Sequence, residues 1–200
     1  MHITRLDQIT PDLTKIATHD FQESFVGFQF PESLKYLNLS DYKKSLVGVK
    51  FPKSLQRLSL FNYSLCLIGV KFPDSLKELF LNRCSVCLIG VILPKTLRRL
   101  TLQLYSTCLV GVKFPELLEE LYLSGYSLSL TEVQFPKTLS KLYLFYHSLS
   151  LAEVQFPHEL EIIVECLIDD PKFEFIKTDQ GVNYYTYLKY PRDHFIKPCL

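Results

Sequence analysis

The stretch CLIGVKFPDSL, residues 66–76, decides the fold because the chain repeats it almost letter for letter. It returns as CLIGVILPKTL at 87–97 and as CLVGVKFPELL at 108–118, each time 21 residues further on. A fixed period of about 20–50 residues is typical of a solenoid, in which copies of one small unit stack along an axis. Proline marks the period along the chain, at Pro31, Pro52, Pro73, Pro94, Pro115, Pro136 and Pro157.

Leucine fills three further columns of the repeat, three, six and eight residues after each proline, as in Leu34, Leu37 and Leu39. In the last unit Leu160 and Ile163 take the first two of these columns. The final pair has the two-residue spacing of a strand, and the Pro and Gly inside each unit disfavour a helix. We therefore predict a mainly β solenoid with a parallel sheet on its concave face. Short extended segments and turns form the convex face, and there are no long helices.

Two charged columns alternate in sign from unit to unit, which tests the stacking independently of the leucines. One follows the prolines and the other precedes the second leucine. In-register neighbours are then opposite charges, which stabilises the stack. We interpret both columns as self-neutralising ladders, the alternative being a binding surface. Their members are Glu32, Lys53, Asp74, Lys95, Glu116 and Lys137, and then Arg57, Glu78, Arg99, Glu120 and Lys141.

The ends of the chain depart from the period, as the caps of a solenoid do. Residues 1–30 form an N-terminal cap that contains a degenerate repeat, and residues 31–166 carry the regular repeats. Residues 167–200 form a C-terminal cap, predicted as a β-hairpin around Asp179-Gln180-Gly181 that closes the open sheet edge. Residues 1–200 are therefore expected to form a single domain.

The pattern F-P-x-S-L-x-x-L-x-L resembles a leucine-rich repeat, and most of all the short FNIP-type repeats common in amoebae and their giant DNA viruses. This resemblance implies protein–protein binding. The column that holds a turn-bonding Asn in ordinary leucine-rich repeats holds other residues here, and we interpret it as structural, with stacked rings covering the edge of the core. Its members are Tyr42, Tyr63, Cys84, Tyr105, Tyr126 and His147.

Cysteine use favours reduced thiols over a metal or redox site. Cys66, Cys87 and Cys108 share one column with serines, which indicates a need for a small side chain and predicts thiols packed in the stack. Cys84 and Cys87 form a lone CxxC without a second pair, so zinc or redox chemistry is the alternative. We therefore predict no metal and no cofactor.

Other motifs favour an intracellular protein without catalysis. The start MHITRLDQIT lacks the basic and apolar segments of a signal peptide, and no apolar run approaches the roughly 18 residues of a membrane span. We expect a cytoplasmic location, in the host cytoplasm if the source is viral. Asp193-His194 near Cys199 is the one arrangement that suggests a nucleophile and base, and it lies in the terminal tail.

The strand residues between the leucines are the candidate partner-binding site, because they project from the concave sheet where no core demands them. Aromatic and Arg side chains on a rigid open face are typical of protein-binding hot spots. The alternative is that the aromatics only stiffen the sheet. The candidates are Tyr36, Arg57, Phe61, Phe80, Arg99, Tyr122, Lys141, Tyr143 and Phe145.

Two further surface features admit more than one interpretation. A convex column of Val and Ile beside the glycines gives way to Thr131-Glu132 and Ala152-Glu153 in the last two units, which suggests contact with a partner or lipid, or burial under a neighbouring loop. Residues 43–113 contain twelve Lys or Arg and two Asp or Glu, whereas residues 116–170 contain two and ten. This asymmetry is compatible with drift, with head-to-tail self-association, or with nucleic-acid binding by the basic half.

Overall fold

The computed structural model describes residues 1–145, 151, 153–158, 160–165 and 185–187. Within them, ten strands form one parallel sheet whose strand order follows the chain. A single turn of 3-10 helix, Leu6–Gln8, is the only helix in this part of the chain. The strands are β1 (His2–Ile3), β2 (Lys15–His19), β3 (Tyr36–Ser40), β4 (Arg57–Phe61), β5 (Glu78–Asn82), β6 (Arg99–Gln103), β7 (Glu120–Ser124), β8 (Lys141–Phe145), β9 (Glu161–Glu165) and β10 (Tyr185–Tyr187).

The leucine columns form the core. In β4, Leu58 and Leu60 are fully buried while the three residues around them are half-buried, and the other regular strands alternate in the same way. Side chains of a strand point alternately to the two faces, so one set enters the stack and the other stays on the open face. The predicted solenoid is thus confirmed. None of the described residues forms a helix long and apolar enough to cross a membrane.

Strand register follows the 21-residue period from β2 to β8. Leu37 lies beside Leu58 and Leu58 beside Leu79, so each leucine contacts its own column. The degenerate first unit joins in the same way, because Lys15 of β2 lies beside Tyr36 of β3. The faint repeat predicted in residues 1–30 is therefore a full structural unit.

The register changes by one residue at β9, and the sequence-based placement of Ile163 in a leucine column is wrong. Ile162, not Ile163, lies beside Leu142, and Val164 lies beside Leu144. A strict 21-residue spacing would instead place Glu165 in the core column next to Leu144. The final unit is therefore one residue shorter than the 21-residue period, and Val164, not Glu165, lies in register with Leu144.

Two turns complete each unit. After the proline, the Leu55 amide donates to the Pro52 carbonyl at 3.1 Å. On the opposite side, the Val49 amide donates to the Leu46 carbonyl at 3.2 Å, and Gly48 between them has a φ of 85°. That conformation favours glycine. Glu132 occupies the same position with a φ of 70°, so the backbone there is strained.

A second column requires positive φ and was not predicted. It lies directly after each strand, where the amide donates to the carbonyl that ends the next strand, as from Asp41 to Phe61 at 2.9 Å. Asp, Asn and Gly adopt this conformation readily, but Arg and Leu do not. The signal in the sequence is blurred because the column reads Asp20, Asp41, Asn62, Arg83, Leu104 and Gly125.

Side-chain hydrogen bonds connect each unit to the one before it. The Ser54 hydroxyl donates to the Leu34 carbonyl at 2.7 Å, and Ser75 does the same to Leu55 at 2.7 Å. Thr138 repeats the bond to Leu118 at 3.0 Å. These residues follow the proline by two positions, where Leu117 breaks the series. The Ser/Thr column therefore anchors each proline turn to its predecessor.

The tyrosine column lies inside the core, and not at its edge as predicted. The Tyr63 hydroxyl accepts a hydrogen bond from the Leu46 amide at 3.2 Å, and Tyr126 accepts from Leu109 at 3.2 Å. Both rings are fully buried. The hydroxyl thus satisfies a buried amide of the preceding unit, a task that resembles that of the Asn in other leucine-rich repeats. Burial raises the pKa of Tyr63 to about 12.

The unit at 84–104 lacks this tyrosine. Cys84 is buried in its place and lies within 3.5 Å of the Leu60 carbonyl. Val86, two residues on, is buried as well, whereas Leu65 at the same position of the preceding unit is exposed. Leu93 also stands where other units have a phenylalanine that stacks on its equivalent in the next unit. The ring centroids of Phe51 and Phe72, for example, lie 6.5 Å apart.

The C-terminal cap is described only at Tyr185–Tyr187, which pair in parallel with β9. The predicted hairpin around Asp179-Gln180-Gly181 lies outside the described residues.

Candidate functional site

The outward residues of β2–β8 form a continuous surface, which we call the strand face. They occupy the first, third and fifth positions of each strand, and most are half-buried by their neighbours. In-register pairing brings equivalent side chains of adjacent strands within about 5 Å. The face is therefore a set of three parallel rows in which each side chain lies in register with the equivalent one before and after it.

The first row is an ion-pair ladder. Arg57 Nη2 lies 2.5 Å from Glu78 Oε2, and Arg99 Nε lies 2.7 Å from Glu120 Oε2. Arg99 also approaches Glu78, with Nη1 at 3.7 Å from Oε2. The hydrogen bond from Arg99 lowers the pKa of Glu120, and Glu120 raises the pKa of Arg99. The interpretation of this column as a self-neutralising ladder is confirmed.

The two arginines proposed as partner-binding residues are consequently already engaged. Arg57 and Arg99 hold carboxylates of the same face, so they orient the surface more than they offer a free cation. A further pair, Arg98 with Glu119, lies next to the ladder. The other alternating column, which starts at Glu32, forms no ion pair within the described part of the chain.

Aromatic side chains of β7 and β8 form one cluster on the strand face. The rings of Tyr122 and Tyr143 are parallel, with an interplanar angle of 4° and centroids 3.9 Å apart. Phe145 adds a tilted ring 6.1 Å from Tyr143. The Tyr122 hydroxyl donates to Glu120 Oε2 at 3.0 Å, and burial raises the pKa of Tyr122. These three predicted residues are thus brought together, and Tyr122 connects them to the ion-pair ladder through Glu120.

A second cluster lies at the N-terminal end of the face and surrounds an open cleft of about 560 Å³. Arg57 lies between two rings, with its guanidinium carbon 5.5 Å from the centroid of Tyr36 and 5.3 Å from that of Phe80. Lys15 Nζ approaches the other side of Tyr36 at 4.9 Å. Arg57 Nε is buried without a hydrogen-bond partner. Tyr36, Arg57 and Phe80 therefore share one site.

Lys15 belongs to this cleft and was missed by the sequence-based prediction. It lies 21 residues before Tyr36, so extending the period into the degenerate unit would have placed it in the same row. The remaining predicted residues are more scattered. Phe61 contacts Arg83, whose guanidinium carbon lies 5.5 Å from the ring centroid, and Lys141 lies beside Glu120 in register.

The cysteines do not pack as predicted. Cys66, Cys87 and Cys108 are exposed free thiols, and only Cys84 of the described cysteines is buried. The Cys66 sulfur accepts from the Ile68 amide at 3.4 Å, as the Ser45 hydroxyl does from Val47 at 3.1 Å. The column thus selects a small acceptor for a turn amide. Burial raises the pKa of Cys84 to about 11, which makes its thiol unreactive.

No group of three or more His, Cys, Asp or Glu side chains in the described residues is arranged to hold a metal ion. The site is instead a rigid array of rings and paired charges. Such an array can offer contact area and orientation to another macromolecule.

Comparison with known proteins places the chain in a repeat family. The sequence profile of the BspA-type leucine-rich repeat region matches six copies, over residues 38–141 and 80–187. No curated protein matches the sequence significantly. The FNIP-type resemblance stays a prediction, because the matching family is the BspA-type one.

A solved structure shares the fold. The crystal structure of CroV588, described as a novel circular LRR protein structure, superposes with a TM-score of 0.61 at 19% sequence identity. The match covers 76% of this chain and 25% of that one, so the present chain spans about a quarter of the length of its structural neighbour. With its 21-residue leucine columns, its in-register parallel sheet and six matched copies, the chain belongs to the BspA-type leucine-rich repeat family.

Proposed function

We propose that the chain is a non-catalytic module that binds a protein partner through the strand face, which the sequence predicts to be concave. Leucine-rich repeat proteins commonly mediate protein–protein interactions and are typically not enzymes. Solenoids of this kind use extended concave surfaces for binding. The partner-binding residues are those predicted from the sequence, together with Lys15.

The observation that carries the proposal is the stacked pair Tyr122 and Tyr143, next to Phe145, on an open sheet. No core requires rings there, because the leucines on the other side of the strands fill it. Large aromatic side chains in fixed positions supply most of the binding energy in typical protein interfaces. The cluster is therefore suited to anchor an apolar or aromatic side chain of a partner.

The ion-pair ladder supports the proposal in a different way. Glu120 receives hydrogen bonds from both Arg99 and Tyr122, so the ring beside it is oriented before any partner arrives. Pre-organised side chains lose less conformational entropy on binding. Arg57 and Arg99 thus contribute by positioning, and Lys15 of the cleft is the cation placed to meet a partner.

The alternative is a nucleic-acid-binding repeat that uses the basic half, residues 43–113. Its support is the count of twelve basic and two acidic residues there. The arginines on the strand face are paired with Glu78 and Glu120, which leaves the lysines of the turns to supply the positive surface. Head-to-tail self-association of the basic and acidic halves is a further possibility that the same experiment addresses.

An intracellular location completes the proposal. Four cysteines of the described residues are free, and three of them are exposed. Exposed free thiols persist in reducing compartments, whereas oxidising ones convert them to disulfides.

The test is a pull-down from cell lysate with immobilised protein, with and without nuclease, followed by titration of each captured partner. We expect the double variant Tyr122→Ala with Tyr143→Ala to bind the partner at least about tenfold more weakly. Truncating a central aromatic anchor costs about 1–2 kcal/mol of binding free energy or more. Leu117→Ser with Leu128→Ser, which removes exposed leucines away from the strand face, is the matched control and should bind as the parent does.

Three outcomes would overturn the proposal. Equal binding by the parent and the tyrosine variant, with both folded by circular dichroism, would exclude the aromatic cluster. Loss of all partners on nuclease treatment would favour the nucleic-acid alternative. Capture of this chain alone, with a concentration-dependent mass in sedimentation, would favour self-association.

A further inference from the structure

Aliphatic side chains form a line on the side of the solenoid opposite the sheet. They stand immediately before the glycine in the turn of each unit, and they remain exposed despite their size. Their exposed fractions lie between 45% and 53%. We call this line the aliphatic ridge, and its members are Val26, Val47, Ile68 and Ile89.

The ridge is continuous because Val26, Val47 and Ile68 each lie against the glycine of the next unit, which brings each of them close to the turn that follows. A Cβ placed on Gly48 would lie 3.7 Å from Val26 Cγ1, and one on Gly90 would lie 3.7 Å from Ile68 Cδ1. Glycine at Gly48, Gly69 and Gly90 thus allows the aliphatic side chain of the preceding unit to lie against the turn. With repeats spaced about 5 Å apart, the four side chains make an apolar strip about 15 Å long.

Lysines accompany part of the ridge, three residues after the aliphatic position of a turn. Lys50 and Lys71 follow Val47 and Ile68, and Lys113 follows the half-buried Val110 in the turn after the ridge, all three lysines being exposed. The same position is Gln29 in the turn of Val26 and Ile92 in the turn of Ile89, where an 84% exposed side chain extends the apolar surface. In the unit that begins at Tyr126 both features vanish together, since Thr131, Glu132 and Gln134 replace the aliphatic, glycine and lysine residues.

This composition is unlike that of the strand face. Protein interfaces are enriched in Tyr, Trp and Arg, and the strand face carries tyrosines and arginines beside its two lysines, Lys15 and Lys141. The ridge combines aliphatic side chains with lysines and contains neither aromatic rings nor arginine. Apolar side chains flanked by lysines are typical of surfaces that lie on anionic membranes, where each lysine near the surface adds affinity.

We propose that the aliphatic ridge and its lysine column dock the solenoid on the surface of an anionic lipid bilayer. The aliphatic side chains enter the boundary between headgroups and acyl chains, and the lysines face the anionic headgroups. The glutamate at position 132 marks the limit of the contact, because a carboxylate there is repelled by the same headgroups. Attachment is peripheral and leaves the strand face directed away from the membrane.

Vesicle co-sedimentation with the full chain tests the proposal, using phosphatidylcholine vesicles with and without phosphatidylserine. We expect phosphatidylserine to raise the bound fraction at least about tenfold and high salt to abolish most of that gain. Ile68→Ser with Ile89→Ser should lower binding to anionic vesicles at least about fivefold, and so should Lys50→Gln with Lys71→Gln.

Matched control variants remove side chains of the same types at other places on the surface. Leu117→Ser with Leu128→Ser deletes exposed leucines off the ridge, and Lys95→Gln with Lys137→Gln deletes exposed lysines of the proline turns. Both should bind anionic vesicles as the parent does. If the ridge variants and the control variants lose vesicle binding equally, binding depends on the overall surface composition and not on the ridge, and the proposed site is wrong.

Two other results would also overturn the proposal. One is that the parent protein binds equally to vesicles with and without phosphatidylserine. The other is a parent dimer in sedimentation that Ile68→Ser with Ile89→Ser converts to a monomer, which would assign the ridge to a second copy. Circular dichroism of every variant separates loss of binding from loss of fold.

Discussion

The units at 63–83 and 84–104 are stacked neighbours with the same buried leucines, yet they fill the space beside those leucines differently. In the first, Tyr63 occupies it and its hydroxyl accepts a hydrogen bond from the Leu46 amide at 3.2 Å. In the second, the smaller Cys84 stands in the tyrosine column and Val86, two residues on, is buried where Leu65 of the first unit is exposed. The comparison shows that the leucine columns determine the stacking. The tyrosine of one unit can be replaced by a smaller residue if another side chain nearby is buried in compensation.

Alkaline pH should produce the largest difference between the contributions of the two units to stability. Burial raises the pKa of Tyr63, Tyr105 and Tyr126 to about 12, while tyrosine in an unfolded chain titrates near 10. Above about 10 the unfolded chain therefore loses protons that the folded chain keeps, and stability falls as pH rises, by roughly 2–3 kcal/mol for each tyrosine near pH 12. Urea unfolding as a function of pH measures this fall.

The onset of that loss distinguishes the units. The pKa of Cys84 is about 11, against roughly 8.5 for a free thiol, so its contribution declines first as pH rises. Cys84→Ala should remove the early part of the decline, and Tyr63→Phe should reduce the later part. A free energy of unfolding that does not change between about pH 8 and 11 would contradict this account.

Truncation should affect the regular unit more than the atypical one. Tyr63→Ala removes a large buried ring and leaves the Leu46 amide unsatisfied, which should lower the free energy of unfolding by about 3–5 kcal/mol. Cys84→Ala removes one sulfur atom and should cost about 1 kcal/mol. Urea denaturation of both variants measures the difference. Equal losses would mean that the tyrosine does not support its turn.

Adding the missing ring tests whether Val86 fills its place. Cys84→Tyr alone should destabilise by about 1–3 kcal/mol, because Val86 already occupies the volume that the ring needs. A second change, Val86→Lys, supplies the exposed residue that stands at Lys44 in an earlier unit, and should recover most of the loss. If Cys84→Tyr is as stable as the parent by thermal unfolding, the space beside Cys84 is not filled by Val86.

The smallest effect concerns the residues that end the two units. Arg83 and Leu104 both have positive φ, at 53° and 50°, but only Arg83 gains a contact with a ring, that of Phe61. Leu104→Gly should relieve backbone strain and raise the free energy of unfolding by about 1 kcal/mol. Arg83→Gly should gain less. A stability loss in Leu104→Gly would show that its exposed side chain supports the neighbouring Gly125.

Most of the fold could be predicted because one kind of interaction recurs at one spacing. A leucine that is buried once in a stack is buried in every copy, so the period alone predicts the sheet, its direction and its register. The prediction failed at β9, where the unit is one residue shorter than the period and Val164, not Glu165, lies beside Leu144. Column counting also missed the positive φ of Arg83, since arginine does not signal that conformation.

The candidate site was only partly predictable, since it depends on which neighbours a side chain finds. The stacked Tyr122 and Tyr143 follow directly from register, and both were identified. Arg99 was proposed as a partner-binding residue although the alternating charges of its column already implied carboxylate partners. Lys15 was missed because its unit is degenerate, and the exposed thiols were missed because a small side chain in a column indicated packing.

The side chains that connect the units all reach in one direction. Tyrosine hydroxyls accept hydrogen bonds from backbone amides of the preceding unit, as at Tyr42, Tyr63 and Tyr126. Serine hydroxyls donate hydrogen bonds to carbonyls of that unit, as at Ser54 and Ser75. Each unit therefore completes its turns only when the following unit is in place. A ribosome synthesises the chain from the N-terminus at about 5–20 residues per second, so the newest unit is always unfinished and waits about 1–4 seconds for its successor. Folding during translation should accordingly trail synthesis by one repeat and advance in steps of 21 residues.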